Sequence, residues 1–115
     1  MYPTLKNGSI VLMKKYNLKL NYNDIVVIKK NNKIIIKRLV GLPNDTIDID
    51  EYIYVNGKKN DEIPTKDKGN ITNRITLGKN EYFVIGDNRD KSIDSRFDEV
   101  GIIKEFQIIG KILFK

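Results

Sequence analysis

Apolar residues along this chain come in short runs that alternate with polar ones or cluster briefly, and they do not recur at helical spacing. That pattern predicts strands rather than a long amphipathic helix. Ser9–Lys15, Asp24–Lys30 and Lys33–Leu42 read as strands, the last two joined by Asn31-Asn32, a pair that tolerates positive φ and suits a tight hairpin. Thr46–Asp50 alternates apolar and polar residues, and Tyr52–Val55 leads into Asn56-Gly57, the strongest short hairpin signal present. Ile75–Leu77 and Tyr82–Ile85 are further strands. Between them Lys58–Asn73 is polar, carries Pro64 and Gly69, and reads as an exposed insertion or long loop. Asp87–Asp98 holds almost no large apolar side chain, and Lys104–Ile109 is expected to form one short helical turn before a last strand, Lys111–Phe114. The fold class expected is mostly β, with coiled antiparallel sheets forming a barrel-like domain and little helix.

Composition strengthens this reading and narrows the chemistry. The 115 residues fit one domain, alanine is absent, and Ile, Val, Leu, Tyr and Phe supply the apolar content. Lys and Arg outnumber Asp and Glu by 21 to 15, a net charge of +6, but no Lys/Arg run exceeds two residues, so the excess reads as a solvated surface. A nucleic-acid-binding barrel would need aromatic residues interleaved with basic ones. Tyr52 and Tyr54 share a strand face, but Asp48, Asp50 and Glu51 lie beside them, so no nucleic-acid partner is expected. With no cysteine, disulfides and thiolate chemistry are excluded, and with no histidine so are a Ser-His-Asp triad and histidine-ligated zinc. No metal or cofactor is expected. A general base working near neutral pH must then be a carboxylate or a lysine of lowered pKa. No apolar run approaches the roughly 20 residues that span a bilayer, and no signal peptide is visible, so the chain reads as soluble, with any membrane anchor lying upstream.

Three segments carry candidate chemistry: Met1-Tyr2-Pro3-Thr4-Leu5, Lys37 to Asp45 (KRLVGLPND), and Gly86 to Arg96 (GDNRDKSIDSR). The last packs three Asp, two Arg, one Lys, two Ser and one Asn into eleven residues. Taken alone it is a surface loop held by Asp and Asn turns. Lys37 ends an Ile-Ile-Ile run, and its neighbours on the same strand face, Ile35 and Leu39, are apolar. Taken alone it is a lysine snorkelling from a strand edge. If that face is buried, Lys37 must lose its charge or find partners, and a desolvated lysine serves as a general base.

Together, MYPTL, NDIVV, KRLVGLPND and GDNRDKSIDSR resemble, in order and over nearly the whole chain, the motif series of the bacterial type I signal peptidases. The resemblance implies the signal-peptidase catalytic domain over residues 1–115, with 56–78 as a short variable insertion. It implies a serine endopeptidase that cuts signal peptides from exported preproteins after small residues by a Ser-Lys dyad. Lys37 matches the general base and Ser92 the hydroxyl that orients it. Arg38 and Asp87 match a pair tying the lysine strand to the last box. Asp94 and Arg96 match a second ion pair, with Arg89 and Asp90 in the same scaffold. Met1, Leu5, Ile35 and Ile36 match positions lining the groove, where the signal peptide lies extended against strands. The implied partners are signal peptides of exported preproteins, pilins among them, and the membrane surface through an upstream anchor. The implied location is the cell membrane, with this domain on the extracytoplasmic side.

There are departures. The family nucleophile directly precedes the methionine that is Met1 here, so the 115 residues hold neither that serine nor its oxyanion-hole donors, and the expectation is that they do not cleave on their own. Ser9 does not replace it, because its position matches an acidic residue of the family. Asn44 stands for the glycine of GLPGD, a change that positive φ accommodates. A second reading is a non-catalytic or pilin-directed relative acting in pilus assembly. Such relatives usually lose the lysine, and Lys37 and Ser92 are both kept.

Overall fold

The structure is a computed structural model that describes residues 12–16, 18–61, 63–65, 68–71, 73–89 and 91–114. In chain order its strands are β1 (Leu12–Lys14), β2 (Ile25–Lys30), β3 (Lys33–Gly41), β4 (Thr46–Ile49), β5 (Ile53–Val55), β6 (Lys58–Lys59), β7 (Ile75–Thr76), β8 (Glu81–Ile85), β9 (Ile103–Lys104) and β10 (Ile108–Phe114). One sheet runs β1-β10-β2-β3-β8-β9 and the other β6-β5-β4-β7. All the pairings are antiparallel. The architecture is thus mostly β with antiparallel sheets and little helix, as expected; among the described residues the two sheets are open and do not close into a full barrel. Among the described residues no helix is long and apolar enough to cross a membrane.

Turn chemistry sets the register. Asn31 and Asn32 sit at φ 53° and 62°, and Asn56 and Gly57 at 52° and 83°, the paired left-handed residues of tight hairpins. The first hairpin locks Lys30 opposite Lys33 and, further along, Val26 opposite Lys37 and Ile28 opposite Ile35. Asn44 takes φ 72°, the conformation that made it an acceptable stand-in for glycine.

The buried apolar residues form two groups. Val26, Ile28, Leu39, Tyr82, Val84, Ile103 and Ile108 pack on one face of the larger sheet. Val40, Ile47, Ile53, Leu77, Phe83 and Ile85 fill the space toward the smaller sheet. β3 supplies both groups, because alternate residues of a strand face opposite ways. Gly41 makes its end possible: a Cβ there would lie 2.8 Å from Leu77 Cδ1 and 2.9 Å from Phe83 Cβ, leaving no room for a side chain where the sheets meet.

Several boundaries differ from the sequence reading. β5 begins at Ile53, not Tyr52, and β10 at Ile108, not Lys111. The turn expected over Lys104–Ile109 is a 3-10 turn limited to Glu105–Gln107, because Ile108 is already paired opposite Ile28. β6 lies inside the stretch read as loop, since the Asn56-Gly57 turn folds Lys58 back opposite Val55. β9 is too short to show a period. Met1, Leu5, Ser9 and Asp90 lie outside the described residues.

Candidate active site

β3 brings Lys37 to the site. Its side chain shares a face with Ile35 and Leu39 along the strand and with Val26 across it, and it is partly buried. Burial lowers its pKa below the ordinary lysine value; the Asp94 carboxylate opposes this, and the Arg96 guanidinium adds to it. Lys37 Nζ donates to Ser92 Oγ across 2.9 Å. The two line a cleft of about 290 Å³ with Gly86, Asp87, Asn88, Lys91 and Ile93. Ile93 also borders a neighbouring pocket of about 480 Å³ that includes Ile35.

Ser92 is held by the segment that leaves β8. Ser95 pairs its backbone N–H with the Val84 carbonyl at 3.1 Å, and its Oγ accepts the Val84 N–H at 2.9 Å, folding the box back on the strand. Asp94 and Arg96 are both 0% exposed and paired, Arg96 Nε to Asp94 Oδ1 at 2.9 Å and Nη2 to Oδ2 at 3.1 Å. Two backbone groups complete the satisfaction of Asp94: the Gly86 N–H at 2.9 Å and the Arg96 N–H at 3.1 Å. Arg96 Nη2 donates as well to the carbonyls of Arg89 at 3.0 Å and Ser92 at 3.3 Å. A buried ion pair with this many hydrogen bonds fixes one loop geometry rather than adding much net stability.

On the opposite face of β3, Arg38 makes two parallel bonds to Asp87, Nε to Oδ1 and Nη2 to Oδ2, each 2.8 Å, and a third to the Asn23 carbonyl at 2.8 Å. Adjacent residues of one strand are thus tied to one loop on both sides of the sheet.

Of the residues singled out from sequence, the structure brings together Lys37, Ser92, Arg38, Asp87, Arg89, Asp94 and Arg96 around this loop. Ile35 lies on the Lys37 face, while Ile36 alternates to the face of Arg38 and pairs with Val27. β8 joins β3 only from Arg38 onward, so on that side the edge before Arg38 has no partner strand among the described residues.

Two residues were missed. A Cβ on Gly86 would fall 1.9 Å from Ser92 Oγ and 3.5 Å from Lys37 Nζ, so only glycine lets the serine approach. Its signal was its place at the head of the box. Asp61, in the polar stretch after β6, pairs with Arg89 Nη2 at 2.8 Å. Nothing in the linear pattern distinguished it from its charged neighbours.

The family model described as "Signal peptidase, peptidase S26" matches residues 1–115. This chain belongs to that signal peptidase family. It is 36% identical over 130 residues to signal peptidase I S of Bacillus subtilis (strain 168), covering 99% of this chain and 70% of that protein. It is 39% identical over 139 residues to signal peptidase I of Bacillus caldolyticus, covering 100% of this chain and 73% of the relative. Among solved structures, a signal peptidase I from Enterococcus faecalis V583 superposes with a TM-score of 0.63 at 28% identity, covering 82% of this chain and 97% of the other. The family match spans both the lysine strand and the box that holds Ser92.

Proposed function

We propose that this chain is the catalytic domain of a type I signal peptidase that cuts signal peptides from exported preproteins with Lys37 as general base. The observation that carries the proposal is the bond from Lys37 Nζ to Ser92 Oγ, 2.9 Å long, at a lysine whose pKa burial lowers. A lysine with a hydroxyl partner on an apolar strand has the properties of a base that works without histidine.

In this reading neutral Lys37 takes the proton from a serine placed directly before Met1. The serine oxygen attacks the scissile carbonyl, and Lys37 returns the proton to the leaving amine. Lys37 then deprotonates the water that hydrolyses the acyl-enzyme. Ser92 keeps Nζ aimed through these steps. The substrate adds as an extended strand along the edge of β3 that has no partner strand among the described residues, where backbone bonds give affinity and residues of both faces, Ile35 and Ile36, give contacts. The family resemblance assigns Met1 and Leu5, which lie outside the described residues, to the same groove. The domain works on the extracytoplasmic side of the cell membrane, where preproteins emerge. Retention of the Lys37–Ser92 pair favours an enzyme over a non-catalytic module of pilus assembly.

The test is cleavage of a preprotein with small residues before its cut site. The 115 residues alone are expected not to cleave, and a chain extended N-terminally with serine before Met1 is expected to. Lys37→Met in the extended chain is expected to abolish the reaction. Normal turnover by that variant would overturn the assignment of the base.

A further inference from the structure

Beyond the Lys37 cleft, one set of charges joins the polar stretch after β6 to the box. Arg89 is only 4% exposed. Its Nε donates to the Gly86 carbonyl at 3.0 Å, and its own carbonyl accepts from Arg96. Asp61 is the carboxylate that neutralises it among the described residues, through Nη2 at 2.8 Å. Asp61 is itself fixed: Oδ1 accepts the Ile63 N–H at 3.0 Å, Oδ2 accepts from the Asn60 side chain at 3.3 Å, and the Asn60 N–H is anchored on the Ile53 carbonyl at 2.7 Å. The charge of Asp61 also favours the guanidinium of Arg38, the residue next to Lys37 on β3. Both guanidiniums and Asp61 border one pocket of about 400 Å³ with Asn23, Asn60 and Asp87.

We propose that Asp61 is a positioning residue for the Lys37–Ser92 pair and acts through Arg89. The inference rests on the reading of Lys37 and Ser92 as the working pair, and it assigns part of their alignment to the variable stretch of the chain. The physical route is short. Without Asp61, Arg89 is a buried cation with no counter-charge among the described residues, and such a group must draw in water or swing outward. Either movement loosens its bond to the Gly86 carbonyl. Gly86 has little slack, since Ser92 Oγ occupies the space a side chain there would need: a Cβ on Gly86 would fall 1.9 Å from it. Ser92 then moves off Lys37, and water reaches Nζ. The charges that act on Nζ are those of Asp94 and Arg96, with Asp87 and Lys91 lining the same cleft; Asp61 is bonded to Arg89 and not to these groups, so its loss acts on Lys37 through hydration. Hydration moves the proton affinity of Lys37 up toward that of an ordinary lysine.

The test reads that affinity directly on the 115-residue chain labelled with carbon-13 lysine, the Lys37 signal being assigned by its loss in Lys37→Met. Asp61→Asn is expected to raise the Lys37 titration midpoint by roughly half a pH unit or more while the amide spectrum stays that of a folded protein. Asp61→Glu, which keeps the charge, is expected to restore most of the shift. Asp48→Asn, which removes the exposed partner of Arg74 in the same sheet, is expected to leave the midpoint unmoved. An unmoved midpoint in folded Asp61→Asn overturns the proposal. Should that variant fail to fold, Arg89→Met carries the same test without leaving a buried cation: an upward shift supports the proposal and an unmoved midpoint overturns it. The readout is proton affinity and not turnover. Failure of the N-terminally extended, serine-bearing chain to cleave would count against the peptidase reading and leave this result standing.

Discussion

Lys37 and Ser92 lie 55 positions apart in the chain, and the side-chain nitrogen of one donates to the side-chain oxygen of the other across 2.9 Å. One comes from the middle of a strand and the other from a loop whose only apolar member is Ile93, so the contact exists because β8 pairs with β3 and delivers the loop beside it. In a chain carrying the nucleophile, Ser92→Ala is expected to lower kcat about tenfold to a hundredfold, or ~1.4–2.7 kcal/mol of barrier, with KM little changed. Steady-state kinetics on a preprotein substrate check this, and an unaltered kcat would remove Ser92 from the mechanism.

Gly86→Ala should mimic that loss from the backbone side. Its methyl group would fall where Ser92 Oγ now lies, 1.9 Å from it, so the serine must leave Lys37. The expected outcome is a kcat as low as that of Ser92→Ala, and the double variant should be no worse than either single one. Additive effects in that cycle would show that the two residues act separately.

The lowered pKa of Lys37 fixes the sign of two pH effects. In its proposed role as base Lys37 acts when neutral, so kcat/KM should rise with pH through the folded-state pKa of Lys37 and level off below the ordinary 10.5 of a free lysine. For stability, the unfolded chain binds more protons than the folded one between the folded pKa and 10.5, so the contribution of Lys37 improves as pH rises across that window. Its cost is fully present below the folded pKa and vanishes above 10.5. A pH–rate profile whose rising limb is centred at or above 10.5 would contradict the lowered pKa.

The same desolvation makes Lys37→Met a stabilising change. Methionine fills similar space among Val26, Ile35 and Leu39 and has no charge to bury. Thermal melting at neutral pH should give a higher Tm for the variant than for the parent, the usual signature of a residue kept for chemistry at a cost in stability. A lower Tm would mean that the bond to Ser92 outweighs the burial.

Asp94→Ala should be severe. Arg96 would remain 0% exposed without its carboxylate, and breaking a buried pair in this way costs about 3–5 kcal/mol, out of the roughly 5–15 kcal/mol that holds a domain together. Arg74→Ala, which breaks an ion pair whose arginine side chain is 69% exposed, should change stability by about 0.5 kcal/mol or less. Urea denaturation of the two variants checks the contrast, and similar midpoints would show that burial does not set the cost here.

Much of this protein is local and therefore legible in the linear chain. The Asn31-Asn32 and Asn56-Gly57 turns specify hairpins because few residue pairs adopt left-handed conformations cheaply, and both hairpins form. The short apolar runs specify strands because their period matches the pleat. The absence of histidine and cysteine left lysine and carboxylate as the candidate bases, and the ordered motifs singled out Lys37 as the one proposed. β6 and β9 escaped notice because two-residue strands carry no period and exist only through their partners.

What required three dimensions is everything that depends on who meets whom. A strand sequence states that Ile35, Lys37 and Leu39 share a face, but only the pairing that sets Val26 beside Lys37 and the burial of that face make Lys37 a desolvated lysine. The dense box reads as a surface loop until β8 turns it inward and buries Asp94 and Arg96, since charges choose partners by distance and not by order along the chain. Asp61 is the clearest case: one acidic residue in a polar stretch, indistinguishable in sequence, that the fold sets against the buried Arg89. The sequence by itself determined the strands, the turns and the type of base available, because those follow from the conformations and chemistry of individual residues. The tertiary structure alone decided which charges are buried and which are paired, because burial is a property of the packed assembly.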